Sequence, residues 1–376
     1  MERVRMGVIG CGAISGQYFN MAKNFPIVEV VACADLNREV AEKRAAEFNV
    51  PKVLSVDELL ADPSIELVLN LTVPKAHLPI AMRALEAGKH TYAEKPLGVD
   101  REEGRKVIQF AKEKKLLVGC APDTFLGAGI QTVRKLIDEG VIGKPVAATA
   151  FMMGKGHEHW HPNPEFYYEV GGGPMFDMGP YYLTALLNIL GPVKRLMGMA
   201  SISRPQRTIV HKDREGKPMH KYGKVIPVET PDHVAGTIEF ENGCVCTMVT
   251  SFATPHAPFG GQQPIMIFGT TGAMRVPDPN QFDGPIHVRG WDEEEWREVP
   301  HQFVKGYGRS VGVADMAYAI RSGRPFRANG DQALAVLDLM QGFLDSSQSG
   351  KAFTPTVPYQ RPAPMNPNLP FGQLDA

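Results

Sequence analysis

Cysteine is scarce in this chain. Five thiols in 376 residues (Cys11, Cys33, Cys120, Cys244 and Cys246) are an odd number scattered through apolar segments. That usage excludes a disulfide framework and fits reduced thiols in a cytoplasm. Cys244 and Cys246 would share one face of a strand, but no second pair completes a zinc site, so both read as small buried hydrophobes. No apolar run approaches the ~20 residues of a membrane span. The opening MERVRMGVIGCG leads straight into a strand, so no signal peptide is expected. Neither sign of charge is in excess, with 40 Lys and Arg against 41 Asp and Glu. Nothing in that balance calls for nucleic acid or an anionic membrane as a partner. There is no internal repeat.

The length exceeds what one core serves comfortably, since single domains usually stop growing near about 250–300 residues. Two domains are expected, 1–122 and 123–353, followed by a proline-rich extended tail, 354–376. In the first, short and nearly continuous apolar segments at 5–9, 28–34, 67–71, 90–93 and 117–119 read as strands buried on both faces. Helical patterns at 39–48, 56–61, 78–87 and 101–113 lie between them. The alternation predicts an α/β domain with a doubly wound parallel sheet. After Pro122 the pattern becomes α+β. Helices are expected at 130–139, 182–190, 313–322 and 332–346, with strands at 146–152, 265–268 and 274–276 and a hairpin of 234–240 and 245–252 around Asn242-Gly243. The segment Arg204–Lys224 mixes charges of both signs and reads as a solvated excursion.

Gly10-Cys11-Gly12-Ala13-Ile14-Ser15 follows the first strand and opens a helix, the context a dinucleotide fingerprint requires. Gly10 permits the tight turn, and Gly12 lets the backbone approach a pyrophosphate at the helix N-terminus. Ser15 stands where a third glycine is commonest and is still small enough for helix–strand packing. Asp35, ending the second strand, suits the adenosine ribose hydroxyls and repels a 2′-phosphate, which favours NAD over NADP; the neighbouring Arg38 complicates that preference. A plain helix cap is the alternative for Asp35. Thr72-Val73-Pro74 and Glu94-Lys95-Pro96 end two further strands, so they converge on the same crevice.

The glycine loop, Thr72-Val73-Pro74 with His77, Ala87-Gly88-Lys89-His90 and Glu94-Lys95-Pro96 together resemble the glucose–fructose oxidoreductase/inositol dehydrogenase/rhizopine catabolism family. The resemblance implies an N-terminal Rossmann domain and a C-terminal domain with an open, mostly antiparallel sheet. It implies oxidation or reduction of sugars and cyclitols with a nicotinamide cofactor, held by the glycine loop, Thr72, Pro74, His77 and Glu94, with Lys95 beside the reacting carbon.

The stretch Gly171-Gly172-Gly173-Pro174-Met175-Phe176-Asp177-Met178-Gly179-Pro180-Tyr181-Tyr182 extends the likeness. Many family members carry an aspartate here and a histidine acid/base four residues on. This chain has Asp177 and Tyr181, which resembles the tyrosine-bearing branch with glucose–fructose oxidoreductase, dimeric dihydrodiol dehydrogenase and related aldose dehydrogenases. With a helix starting near Gly179-Pro180, Asp177 and Tyr181 would share a face and point into one cleft. A free phenol titrates near 10, and the Lys95 ammonium would favour its phenolate. An N-cap role for Asp177 and a packed ring for Tyr181 are the competing readings. Tyr182, about 100° around the helix, is expected to face the core.

Gly156-His157-Glu158-His159-Trp160-His161-Pro162 invites a metal reading, because histidines alternating on a strand share a face. The family places substrate contacts there, so His159, Trp160 and His161 are expected to touch substrate, with Asp123 and Tyr167 or Tyr168 near the same pocket, and no metal is expected. The sum is an NAD-dependent dehydrogenase of a sugar, glycoside or cyclitol hydroxyl. The homo-oligomer is expected to pair through the C-terminal sheet. A non-catalytic NAD-binding sensor, and an enzyme that recycles a tightly bound cofactor, are the alternatives.

Overall fold

A computed structural model describes residues 1–255 and 263–375. The chain opens with β1 (Val4–Ile9), α1 (Ser15–Ala22), β2 (Val28–Ala34), α2 (Arg38–Phe48), β3 (Lys52–Val53) and α3 (Val56–Ala61). It continues with β4 (Leu67–Asn70), α4 (Pro74–Glu86), β5 (His90–Ala93), α5 (Arg101–Lys114) and β6 (Val118–Cys120). These six strands form one parallel sheet in the order β3-β2-β1-β4-β5-β6. The order reverses beside β1, and that switch point opens the ligand crevice. Local chemistry fixes the helix starts: Ser55 and Glu58 cap α3 reciprocally, and Asp100 accepts from the Glu103 amide to begin α5.

The second half holds α6 (Ala128–Asp138), β7 (Pro145–Met153), α7 (Gly173–Asp177), α8 (Gly179–Leu190), β8 (Val193–Ser201), β9 (Gln206–Thr208) and β10 (Val225–Pro227). It continues with β11 (His233–Phe240), β12 (Val245–Ser251), β13 (Ile265–Gly269), β14 (Gly272–Val276), β15 (Ile286–Gly290), β16 (Arg297–Val299), α9 (Val311–Ser322) and α10 (Gly330–Ser349). Its eight-stranded sheet runs β16-β15-β14-β13-β7-β12-β11-β8. Among the described residues β7 and β12 are parallel and the other neighbouring strands antiparallel.

The apolar periodicity located the Rossmann strands to within a residue or two, apart from β3. That strand is two residues long and carries an exposed lysine, so it has no apolar run to find. β8, β15 and β16 also escaped, because charged residues and glycines interrupt them. Two features were unforeseen. Arg204–Lys224 is not simply solvated: it carries β9, which pairs with β10 just beyond the segment, and it buries Arg207 to 3% exposure. The chain also returns to the first sheet, where α9 packs on β1 and β6, and the Cys120 amide donates to Ala328 O at 3.0 Å.

Candidate active site

Gly10 adopts φ +98°, and a Cβ there would lie 2.7 Å from the Leu71 carbonyl carbon, so only glycine lets β1 turn this close to β4. In front of Gly12 the space is open, and a Cβ would meet nothing within 4 Å. That opening, at the N-terminus of α1, fits a pyrophosphate. Asp35 pins the loop: Oδ2 accepts from the Cys11 amide at 2.8 Å and Oδ1 from the Asn37 amide at 2.9 Å. Each oxygen keeps acceptor capacity for a ribose hydroxyl. Asp35 is not the cap of α2, because Asn37 fills that role. Arg38 turns along its helix to Glu42, and Arg44 instead reaches the loop, donating to Gly12 O at 3.2 Å.

A cleft of about 660 Å³ runs from this loop to the second half of the chain. Ile14, Thr72, Pro74, Glu94 and Lys95 line one side, and Asp177, Tyr181 and Arg309 the other. A larger cleft of about 970 Å³ lies between α5 and the tail, but Arg105, Arg324, Arg327 and Arg361 along it already have carboxylate partners. No glycine loop opens there.

Lys95 Nζ donates to Asp177 O at 2.6 Å and Asp177 Oδ1 at 2.7 Å. Burial works against the ammonium, yet Asp177, Tyr181 and Glu94 hold it well above the ordinary lysine value. Burial likewise works against the Asp177 carboxylate, and Lys95 and His157 hold it far below the usual range. His157 Nε2 lies 3.2 Å from Asp177 Oδ2, so the aspartate joins two cleft side chains. Glu94 accepts from the Tyr18 hydroxyl at 2.8 Å and from the Lys95 amide at 2.9 Å, which fixes the strand end that presents Lys95.

Tyr181 is 5% exposed, and its hydroxyl accepts from Arg309 Nη2 at 2.9 Å. The Lys95 ammonium lies over its ring, 5.1 Å from the centroid, and not at its oxygen. Burial pushes the phenol above its ordinary value, and the pull of Lys95 and Arg309 does not reverse that. The expected phenolate beside Lys95 is therefore corrected: without ligand Tyr181 is a protonated phenol, and its hydrogen-bonding cation is Arg309. Asp177 and Tyr181 are not on one helix either. Met178 breaks α7 from α8, although both side chains still enter the cleft. Asp177 makes no N-cap bond, and Tyr182 is buried in the core.

The wall opposite is aromatic. Trp160, Phe166, Tyr167 and His157 line it, with the His157 and Tyr167 rings stacked at 3.8 Å. Residues 157–159 form a 3-10 turn and not a strand, so the histidines do not alternate on one face. Trp160 reaches the cleft, while His159 leans on Glu158 and His161 accepts from the Asn163 amide. Among the described residues no group of three His, Cys, Asp or Glu side chains is arranged to hold a metal. Beneath the wall Arg207 bridges Glu158 at 3.0 Å and Asp232 at 2.7 Å, and Tyr168 is buried against Glu158.

Asp123 and His77 lie behind the cleft. Asp123 is fully buried and accepts from the Ser310 and Gly312 amides at 3.1 Å each, so it supports the site without lining it. His77 sets its two ring nitrogens against the carbonyls of Pro96 and Thr72, tying together the two loops that carry the cofactor side. Tyr18, Arg44, Asn280 and Arg309 carry no motif in the sequence that points to the cleft. His157 stands in the histidine-rich segment but outside the three residues expected to touch substrate, His159, Trp160 and His161; of these the cleft takes Trp160, and His157 joins it.

A 1,5-anhydro-D-fructose reductase of Ensifer adhaerens is 27% identical over 274 residues, 72% of this chain and 74% of that one. A trans-1,2-dihydrobenzene-1,2-diol dehydrogenase of Mus musculus is 30% identical over 197 residues, 51% of this chain and 57% of that one. A levoglucosan dehydrogenase in complex with NADH and levoglucosan shares the fold, with a TM-score of 0.77 at 21% identity over 94% of this chain and 99% of that one. No described helix is long and apolar enough to cross a membrane. Residues 4–121 match the oxidoreductase family with an NAD-binding Rossmann fold and residues 130–275 match the GFO/IDH/MocA C-terminal domain, so the chain belongs to the GFO/IDH/MocA oxidoreductase family.

Proposed function

We propose that this chain moves a hydride between NAD and a hydroxyl-bearing carbon of a sugar, glycoside or cyclitol. The observation that carries the reading is the single cleft in which the glycine-loop side meets Lys95, Asp177 and Tyr181 under an aromatic wall. When bound, the nicotinamide supplies the hydride chemistry. Lys95 uses two donors on Asp177 and keeps a third N–H for the substrate oxygen. Tyr181 exchanges the proton with that oxygen. Trp160 offers a ring face to a hydroxylated ring, and the cleft places polar groups around it. The names of the two curated relatives, a sugar reductase and a diol dehydrogenase, point the same way.

Asp35 favours NAD over NADP, because a 2′-phosphate beside its carboxylate would be repelled. Five free, buried thiols suit a cytoplasmic setting. The outer face of the eight-stranded sheet exposes Met197, Met199, Val245 and Phe268, a surface suited to pairing with a second copy. The test is the near-ultraviolet absorbance of reduced nicotinamide, with NAD and NADP each offered a panel of aldoses, glycosides and inositols. Reduction with one substrate class, abolished in Tyr181→Phe, supports the reading. Silence across the panel with cofactor binding intact would replace it with a binding protein that does not turn over.

A further inference from the structure

Arg309 has no obvious place in a hydride-transfer site read from the sequence, yet the structure brings it to the one oxygen that must change charge. Its Nη2 donates to the Tyr181 hydroxyl at 2.9 Å and to Asn280 Oδ1 at 3.2 Å. Its Nη1 lies 3.6 Å from Asp123 Oδ1, and the residue is 7% exposed. The backbone next to it is strained: Ser310 sits at φ +107°, a region a residue with a side chain rarely adopts. Three hydrogen bonds hold it there. The Ser310 and Gly312 amides donate to Asp123 Oδ2, and Ser310 Oγ donates to Tyr18 O at 3.0 Å. Strain kept by surrounding contacts marks a position whose geometry is used, and here it aims a guanidinium at a phenol.

We propose that Arg309 is a catalytic residue of this site: it donates into the Tyr181 oxygen, directs the phenol proton toward the cleft, and carries the charge left when that proton goes to the substrate oxygen. This rests on Tyr181 being the proton carrier. With Arg309 donating into Oη, the hydroxyl's own proton has no protein acceptor among the described residues and is free for a ligand. In the reducing direction the Tyr181 O–H bond breaks, its proton forms the new substrate O–H, and the electron pair stays on Oη beside Arg309. The hydride completes the balance at carbon. In oxidation the same bonds form and break in reverse. A preorganised donor at a developing oxyanion is worth roughly 10²–10³ in kcat.

The groups facing the Tyr181 ring and hydroxyl are Lys95 and Glu94 after β5, Asp177 at the end of α7, Tyr167 in the aromatic wall, and Arg309 before α9. The experiment separates Lys95 from Arg309. Phenolate absorbance is titrated as the difference between the chain and its Tyr181→Phe variant, first with Arg309 present and then in an Arg309→Gln background, with NADH binding and far-ultraviolet circular dichroism as controls. Losing a cation at this distance should move the Tyr181 titration up by about 1–3 pH units. Carbonyl reduction should lose roughly 10²–10³ in kcat with NADH binding retained. Arg309→Lys, which keeps the charge but not the reach across Asn280 and Tyr181, should fall between, and it decides the matter if Arg309→Gln does not fold. A Tyr181 titration that stays put in these variants and moves in Lys95→Met overturns the proposal. Wild-type turnover in Tyr181→Phe would instead overturn the tyrosine reading itself.

Discussion

The Lys95 ammonium stands 2.7 Å from Asp177 Oδ1 and 2.6 Å from the backbone oxygen of the same residue. A lysine at the end of a Rossmann strand is thus held by the last residue of α7, a helix of the second half. The contact positions the donor and also joins the two halves of the cleft.

Asp177→Asn keeps a hydrogen-bond acceptor for Lys95 but removes the charge that it and His157 share. Turnover should fall about 10²–10⁴-fold, the range of a lost proton-transfer or positioning group. Asp177→Leu should in addition lower the melting temperature, because Lys95 is left buried without its counter-charge, a loss of about 3–5 kcal/mol. Initial rates and thermal denaturation of both variants check this.

The pH dependence follows from the phenol. The Tyr181 phenol lies above its ordinary value, so it is protonated at neutrality and available as an acid. Carbonyl reduction should stay level through neutral pH and decline only in the alkaline range, as that proton is lost. Alcohol oxidation, which needs the phenolate, should rise with pH over the same range. Rate profiles in the two directions test the sign, and any residual activity of Tyr181→Phe should lack the alkaline limb.

Trp160 is 56% exposed in the absence of ligand and contributes a cleft wall, not a core. Trp160→Ala should leave the melting temperature unchanged and raise KM about tenfold, the equivalent of about 1.4 kcal/mol. An unchanged KM for every accepted substrate would remove the aromatic wall from the binding site.

Asp35→Ala removes the anchor of the Cys11 amide together with the acceptor offered to the ribose. NAD affinity should weaken roughly 10- to 100-fold, as expected for losing a hydrogen bond to a charged group. Discrimination against NADP should shrink at the same time. Calorimetric titration with each nucleotide measures both.

Arg207 lies beneath the aromatic wall with two carboxylates as partners, Glu158 and Asp232. Arg207→Leu leaves both buried without their cation and should destabilise the fold by about 3–5 kcal/mol. The accompanying double variant Glu158→Gln with Asp232→Asn should not add to that loss. Denaturant unfolding of the single and combined variants shows whether the three act as one unit.

The first sheet was legible because a strand buried on both faces writes itself as an apolar run: VEVVACA and HTYA fall at β2 and β5. The glycine loop, Asp35 and Lys95 were legible for a related reason. Ligands of parallel sheets sit at strand ends, and strand ends can be counted along a chain. The partners of the cleft side chains Asp177 and Tyr181 were not. Residues 177 and 181 looked like neighbours on one helix, but a break at Met178 separates them, and residue 309 comes from a loop more than a hundred positions further on.

Sequence alone determined what is local: periodicity, turns, and which residues end the strands of the Rossmann half. Tertiary structure decided what is electrostatic. Whether Tyr181 rests as a phenol, which cation touches its oxygen, and that Asp123 and His77 lie behind the cleft all depend on burial and on distances across the fold. Those arise only when α9 returns to the first sheet and carries Arg309 to the site.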